Sequence, residues 1–421
     1  MADLPTNDIP ITDMYDEMDT RDPELRERNL FVALPEHLET AVTGAPGLAR
    51  HLEGQNLTAI TDRTALATLP VLRKSDLMKA QQTQPPFGDF AVAANLTGTR
   101  VFVSPGPVWE PQGLGADPWS GARALYAAGF RSDDMVHNAL SYHATPGGFI
   151  LDEALRALGC TVFPAGVGGT EQQVQAANHF GAVAYTGTPD YLKVMLDKAD
   201  ETGIDLSSIK RAMVSGGALF PSMREEYRER GVDVMQSYAT ADLGVIAYET
   251  KGPDGLCDGM IVNEGLIVEI LRPGTGDPVA PGEVGELVVT NFSKTYPLVR
   301  FATGDLSAVL DEPSPCGRTN MRIKGWMGRA DQRTKVKGMF VDPKQVADII
   351  SSHAGASAGR LIVSRDGASD SMHLQVTGSD LDAEAIASSI RTVTGLSGTV
   401  ELVDALPNDG KVIDDTRDYE A

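Results

Sequence analysis

The chain has 421 residues, of which 42% are hydrophobic and 22% charged, as is typical of globular proteins. This length predicts more than one domain. The formal net charge of −22 excludes a nucleic-acid backbone or an anionic membrane surface as a partner, because phosphates are bound by Lys and Arg. Any site for an anionic ligand must therefore create local positive potential from backbone N–H groups and a few placed cations.

The cysteine content and the N-terminus indicate a reduced, cytoplasmic location. The three cysteines, Cys160, Cys257 and Cys316, are few and far apart. The first 19 residues are acidic and lack the apolar core of a secretory signal. We find no apolar run long enough to span a bilayer, so we expect a protein without membrane segments.

Periodicity divides the chain into three regions followed by a small domain. Residues 1–90 contain helical patterns, and residues 91–245 alternate strands with helices of about 10 to 15 residues, which predicts βα units on a parallel sheet. Short strands between Gly/Pro turns make 246–325 a β-rich subdomain. Residues 326–421 predict a small α+β domain. The fold class is thus α/β, with a large domain over 1–325 and a small mobile one over 326–421.

Several short segments occur in an order that resembles one enzyme family. They are "GGTEQQVQAANHFGAVAYTGTPDYL", "SGGALF", "SYATADLGVIAYE", "GELVVTNFSKTYPLVRFATGDL", "GWMGRADQRTKVKG" and "LPNDGKVIDDTR". The series is similar to the phenylacetate–coenzyme A ligase branch of the adenylate-forming enzymes. The resemblance implies that ATP and a carboxylate form an acyl-adenylate with Mg²⁺, and that CoA then displaces AMP to give a thioester.

The nucleotide-binding residues are implied by matching these motifs. Asp305, in a tight turn after a strand, corresponds to the carboxylate that binds the ribose hydroxyls, and Arg300 to a nearby site cation. Gly216, Gly217 and Tyr238 match the segments that enclose adenine. Without the resemblance, we would interpret Asp305 as a surface turn residue and the two glycines as part of an ordinary turn at the end of a strand.

The metal-binding acid and the adenine segment both depart from the family pattern. Asp242 stands where the family has Glu and is expected to bind Mg²⁺, although a structural Asp fits the pattern too. The family Thr before it is Ala241, and Ala218 replaces a Glu.

The small domain retains the mobile elements of the family. Arg329 and Asp331 match the hinge motif, with Asp331 at the pivot, and Gly338 matches the residue that lines the pantetheine path. Lys411 corresponds to the lysine that stabilises charge during adenylation, with a solvated tail lysine as the alternative.

The phosphate loop is the largest departure. In "RVFVSPGPVWEP", Ser104 and Gly106 remain, whereas Pro105 and Pro107 lack backbone donors and Glu110 occupies the lysine position. Two like charges about 4 Å apart at an effective dielectric near 20 repel by about 4 kcal/mol, which would weaken ATP binding. Either the triphosphate is held elsewhere or ATP is used poorly.

A structural zinc ion is not expected. Cys257 and Cys316 fall near two positions of the zinc site that relatives carry, but the other two are Thr250 and Ser314. Two thiolates do not complete a tetrahedral zinc site.

The acyl pocket is assigned to Tyr142, His143 and Thr186, and His143 is either a general base or a pocket-edge residue. The sequence thus predicts an aryl or arylacetate CoA ligase, and the resembled family often forms homodimers. Its alternatives are an ATP-independent enzyme that acts on CoA thioesters and a non-catalytic acyl-CoA or nucleotide-binding protein.

Overall fold

The computed structural model describes residues 13–104, 107–217, 219–330, 332, 334–337, 339–366, 369–407, 409 and 411–417. Contacts divide the chain into two compact units. Unit 1 comprises residues 1–268, 289–301 and 310–325, and unit 2 comprises residues 269–288, 302–309 and 326–421. By sequence pattern alone, 269–288 and 302–309 fall in the large domain, whereas by contacts they belong to unit 2.

Unit 1 begins with helices. Asp22 accepts a hydrogen bond from the backbone N–H of Leu25, and Pro23 occupies the first turn, so the first helix is capped where its apolar spacing starts. Within the helical pattern predicted for residues 1–90, the first long helix ends at Ala45, which precedes a proline. The first elements are α1 (Pro23–Gly44), α2 (Pro46–His51), α3 (Arg63–Ala67), β1 (Leu72–Arg73) and α4 (Lys74–Thr83).

Alternating strands and helices follow, as the sequence predicts. The elements are β2 (Val101–Ser104), β3 (Val108–Pro111), α5 (Ala122–Ala127), β4 (Met135–Asn138), α6 (Gly147–Leu158), β5 (Thr161–Pro164), α7 (Thr170–Phe180), β6 (Ala184–Gly187), α8 (Pro189–Thr202), β7 (Arg211–Val214), α9 (Pro221–Glu229) and β8 (Asp233–Thr240). Strands β8, β7, β6, β4 and β5 are neighbours in that order and run parallel.

Both faces of this parallel sheet are buried. On β7, Met213 packs in the cluster that includes residues of α5 and α6, while Ala212 and Val214 pack in the cluster that includes α7 and α8. Such burial explains why the sequences of these strands are continuous apolar runs and do not alternate between apolar and polar residues. The carboxyl ends of the parallel strands therefore lie on one edge, where open α/β sheets bind ligands.

The β-rich region contains β9 (Gly244–Tyr248), β10 (Lys251–Gly252), β11 (Gly255–Leu256), β12 (Met260–Val262), β13 (Leu266–Leu271), β14 (Gly285–Asn291), β15 (Phe301–Ser307), β16 (Val309–Leu310) and β17 (Arg322–Ile323). Strands β9, β12 and β17 extend the large sheet by antiparallel pairing beyond β8. A second sheet has the order β1-β15-β14-β13, and the chain passes from one unit to the other within β13, β14 and β15.

The C-terminal part of unit 2 is an α+β structure. Its elements are β18 (Thr334–Val336), β19 (Met339–Val341), α10 (Pro343–Ser351), β20 (Ala356–Asp366), β21 (Ser369–Gly378), α11 (Ala383–Thr394), β22 (Thr399–Leu402) and β23 (Ile413–Asp415). The antiparallel pair β20 and β21 is flanked by β23 and β22 in parallel. Apolar residues of α10 and α11 form one core with this sheet. No helix in the described parts of the chain has the length and apolar character needed to cross a membrane.

Candidate functional site

The segment at the phosphate-loop position forms a β-hairpin in unit 1. Strands β2 and β3 pair antiparallel, with Ser104 opposite Val108. Because side chains alternate along a strand, Trp109 is 47% exposed whereas Glu110 is only 2% exposed. The Gln81 side chain of α4 holds the backbone of Trp109, accepting from its N–H at 2.9 Å and donating to its carbonyl at 2.8 Å. The hairpin thus turns Glu110 inward.

Glu110 adjoins Asp242, the expected metal-binding acid. One Glu110 oxygen, Oε1, accepts a hydrogen bond from Ser104 Oγ at 2.7 Å. Burial and, next, the charge of Asp242 raise the pKa of Glu110 to about 9. Glu110 Oε2 and Asp242 Oδ1 are buried and meet no donor among the described residues, while the two carboxyl groups lie within hydrogen-bonding reach of each other. Two adjoining carboxyl groups with such oxygens need a proton or a cation between them.

Asp242 is also bound by a lysine that sequence reasoning missed. Lys74 begins α4, and its Nζ lies 2.9 Å from Asp242 Oδ2. The Asp242 side chain is 1% exposed, whereas the Lys74 side chain is 31% exposed. The lysine stem therefore reaches from the surface to a buried carboxylate. No local motif signals this pairing, because 168 residues separate the partners.

The residues matched to adenine binding lie at neighbouring strand ends in unit 1. Gly216 and Gly217 follow β7, and Tyr238 belongs to β8. Gly216 has a φ of +72°, and a Cβ there would meet only Thr188 Cγ2 at 4.0 Å. A hydrogen bond of 3.0 Å from Ser215 Oγ to the Ser237 carbonyl ties the two segments together. The Gly216 turn thus combines a conformation that favours glycine with open space beside its backbone.

The three acyl-pocket candidates have different surroundings. Tyr142 is held by Asn138 Nδ2 at 2.7 Å and donates to Asp152 Oδ2 at 2.7 Å, and burial followed by the contact with Asp152 raises its pKa. His143 is exposed. Thr186 is fully buried, and its Oγ1 is unpartnered among the described residues. Thr186 thus lies in the interior, Tyr142 is half-buried and His143 lies at the surface.

Arg300 has a structural environment. Its side chain is fully buried, its φ is +47°, and its Nη1 donates to the carbonyl groups of Ala67 and Leu69 at 2.9 and 2.5 Å. Its own carbonyl accepts from the N–H of Leu72 at 3.0 Å. These contacts fix the connection between α3 and β1, so we expect Arg300 to support the fold rather than bind nucleotide as a free cation.

Unit 2 contains the residues matched to ribose binding and the hinge motif. Asp305 lies in β15 and is 8% exposed. Its Oδ1 accepts hydrogen bonds from Arg329 Nη1 at 2.9 Å and from Trp326 Nε1 at 3.1 Å. A ribose hydroxyl would compete with these two donors for the same carboxylate.

Lys411 is held in an ionic network of unit 2. Its Nζ lies 2.8 Å from Asp414 Oδ1. Arg360 donates to Asp414 Oδ2 and to Asp409 Oδ1, both at 2.6 Å. Lys411 and Arg329 line one cavity of about 300 Å³ within this unit. Gly106, Asp331 and Gly338 lie outside the described residues.

The two cysteines expected near the former zinc positions are buried free thiols. Cys316 Sγ lies 3.1 Å from Ser314 Oγ and 3.7 Å from Arg318 Nη1. Burial alone would raise the pKa of the Cys316 thiol, but hydrogen bonds from Ser314 and Thr250 outweigh it and lower the pKa. Within the described residues, no three His, Cys, Asp or Glu side chains group closely enough to hold a metal ion.

Comparison with known proteins identifies the family. Residues 120–293 match the AMP-binding enzyme family. The chain is 30% identical to the phenylacetate-coenzyme A ligase of Aromatoleum evansii over 78% of this chain and 75% of that protein. It is 30% identical to the enzyme of the same name from Thermus thermophilus over 74% of this chain and 72% of that protein.

Solved structures show the same fold. A 2-hydroxyisobutyryl-CoA ligase in the postadenylation state, in complex with 2-HIB-AMP, superposes with a TM-score of 0.70 at 24% identity. The match covers 96% of this chain and 92% of that one. Since the curated relatives reach 30% identity over about three quarters of both chains, this chain belongs to the phenylacetate–coenzyme A ligase branch of the adenylate-forming enzymes.

Proposed function

We propose that this protein activates an aryl or arylacetic acid with ATP and transfers the acyl group to CoA. The acid carboxylate attacks the α-phosphorus of ATP and pyrophosphate leaves, giving an acyl-adenylate. The CoA thiolate then attacks the acyl carbon, AMP leaves, and a thioester forms.

The observation that carries this proposal is the shared environment of three family residues in unit 2. Arg329 contacts Asp305 and lines the same cavity as Lys411. A protein that only bound nucleotide would need no adenylation lysine. We assign Lys411 to stabilising charge on the α-phosphate and the attacking carboxylate, because a placed ammonium group favours a transition state in which negative charge develops.

Asp305 and the Gly216 turn are assigned to nucleotide binding. Asp305 would bind the ribose after exchanging its Arg329 and Trp326 donors for hydroxyl groups. A hydroxyl group that donates to an ionised carboxylate also forms a charge-assisted hydrogen bond, which would offset part of the loss of the Arg329 and Trp326 donors. Gly216 and Tyr238 would border the base at the carboxyl ends of β7 and β8.

The residues around Asp242 fit a magnesium ion. Asp242 Oδ1 is a buried carboxylate oxygen without a hydrogen-bond partner among the described residues, and carboxylate oxygen is the donor that Mg²⁺ prefers. When bound, Mg²⁺ would neutralise phosphate charge during adenylation. Asp242 would hold it, and Lys74 would orient the carboxylate.

The altered hairpin favours a second candidate function. Buried Glu110 replaces the family lysine, so a relative that acts on CoA thioesters without ATP would also explain this segment. The two candidates differ in whether a carboxylic acid drives the release of pyrophosphate.

The test is to incubate the protein with ATP, Mg²⁺ and a panel of aryl, arylacetic and short-chain acids, and to measure pyrophosphate. We expect acid-dependent pyrophosphate that falls by roughly a hundredfold or more in Lys411→Ala, because a group acting on the transition state is lost. Lys344→Ala is the matched control, since Lys344 forms the same kind of exposed ion pair with Asp348 at 2.8 Å in this unit.

Hydrolysis of an aryl-CoA without any acid-dependent pyrophosphate would support the thioester-specific alternative instead. Binding of aryl-CoA or nucleotide with neither reaction would support the non-catalytic one.

A further inference from the structure

We propose that Glu110 and Asp242 together bind a divalent cation, and that this cation replaces the positive charge that the phosphate-loop lysine supplies in the family. The inference rests on the proposed function, because it assigns the cation to the ATP site. It adds Glu110 of β3 as a second protein ligand beside Asp242, and both residues lie in unit 1.

The first argument is the pair of oxygens described above. Glu110 and Asp242 are 2% and 7% exposed, and each has one buried oxygen without a partner among the described residues. A buried polar atom without a partner costs free energy, so an unsatisfied atom of this kind points to a ligand that would satisfy it. Two adjoining carboxylate oxygens are the kind of ligand that a hard cation prefers.

The second argument is that the other oxygen of each carboxyl group has a partner, and that these partners orient Glu110 and Asp242. Ser104 Oγ holds Glu110 Oε1 at 2.7 Å, and Lys74 Nζ holds Asp242 Oδ2 at 2.9 Å. Hydrogen bonds behind a ligand fix its direction, as in established metal sites. One oxygen of each carboxylate is therefore left for a cation.

The third argument is charge. Lys74 is paired with Asp242 at 2.9 Å, so its positive charge is already offset and the cluster alone offers no net positive charge to a polyphosphate. A divalent cation held by the two carboxyl groups would supply that charge. Mg²⁺ commonly uses one or two protein carboxylates and completes its shell with water and phosphate oxygens. The acidic residue in the phosphate hairpin then becomes compatible with ATP.

The alternative to a cation between Glu110 and Asp242 is a proton shared by the two carboxyl groups. If a proton is shared there, Glu110 contributes nothing to metal binding. The two possibilities are separated by Mn²⁺ titration of the full chain at pH 8, followed by electron paramagnetic resonance of free Mn²⁺, without acid, nucleotide or CoA. This readout does not depend on turnover.

We expect wild type to bind one Mn²⁺ tightly, and Glu110→Gln and Asp242→Asn to weaken this binding roughly tenfold or more. Glu249→Gln is the matched control, because Glu249 is another buried glutamate of unit 1, paired with Arg224 at 2.7 Å, and should leave Mn²⁺ affinity unchanged. Glutamine keeps the shape of Glu110, and far-UV circular dichroism verifies that each variant is folded.

Two outcomes would overturn the proposal: no tight Mn²⁺ site in wild type, or equal Mn²⁺ affinity in wild type and Glu110→Gln. Either is distinguishable from failure of the proposed function, because acid-dependent pyrophosphate release is measured separately.

Discussion

At the scale of single residues, the Lys74–Asp242 pair shows how one charge depends on another. Asp242 is almost completely buried, and burying an ionised carboxylate is costly unless a partner compensates it. Glu110 beside it adds a second acid that burial and Asp242 keep protonated to a higher pH than usual. Lys74 is thus the counter-ion of the buried Asp242 side chain inside unit 1.

We expect Lys74→Met to destabilise unit 1 by about 2 kcal/mol at pH 8 in EDTA, because it leaves a buried carboxylate without its counter-ion. The expected loss of stability is smaller than for a fully buried ion pair, because the Lys74 side chain is 31% exposed. Urea denaturation measures it. Lys79→Met on the same helix is the control, because Lys79 is 75% exposed.

Adding Asp242→Asn to Lys74→Met should recover most of that stability, because the unpaired charge is then removed. A Lys74→Met protein as stable as wild type would show that the ion pair does not stabilise the fold.

At the scale of elements, the loop before β23 places Lys411. Arg360 of β20 is only 7% exposed and binds acids on both sides of this lysine, Asp409 and Asp414. Burial opposes ionisation of Asp409, but its hydrogen bond from Arg360 outweighs burial and lowers its pKa. Burial also opposes ionisation of Asp414, but its contacts with Lys411 and Arg360 outweigh burial and lower its pKa. Arg360 is therefore a positioning residue for the Lys411 loop.

Arg360→Met is expected to destabilise unit 2 by about 2 kcal/mol at pH 7 and to slow acid-dependent pyrophosphate release roughly tenfold, because Lys411 loses its fixed position. Since the pKa values of Asp409 and Asp414 are lowered in the folded protein, their contribution is present above their ordinary value of 3.8 and is lost as the pH falls through the lowered values. The stability difference between wild type and variant should thus be constant from pH 6 to 8 and shrink below about pH 4.

Urea denaturation at several pH values tests this prediction, with exposed Arg391→Met of α11 as the control. A stability difference that does not change at low pH would contradict the role given to the two aspartates.

At the scale of the whole molecule, the net charge of −22 opposes the approach of ATP and CoA, which are anions. Salt screens this long-range repulsion, since the Debye length falls from roughly 14 Å at 50 mM to roughly 6 Å at 300 mM ionic strength. We therefore expect kcat/KM for ATP to rise about twofold between these ionic strengths, as measured by initial rates in KCl. Potassium glutamate serves as the control for specific anion effects. A fall in kcat/KM would show that local positive potential outweighs the field of the whole chain.

The division into two units follows from contacts that are remote in sequence. Val284, Leu306 and Ala308 form a buried cluster with Ala330, and all four belong to unit 2. Sequence pattern places the first three in the β-rich subdomain, because short strands between glycine turns look alike whichever core they join. Packing partners, which periodicity does not encode, assign them to unit 2.

What the sequence determined by itself is the order of elements in the βα region, because apolar period and Gly or Pro boundaries depend on neighbouring residues. It also identified the family and the motif positions of Asp242, Asp305 and Lys411, whose roles stay predictions. Only the tertiary structure decided that Glu110 turns inward to Asp242, that Lys74 pairs with Asp242, and that Arg300 holds backbone carbonyl groups. These facts depend on side-chain direction and on contacts across more than 100 residues, which no local pattern specifies.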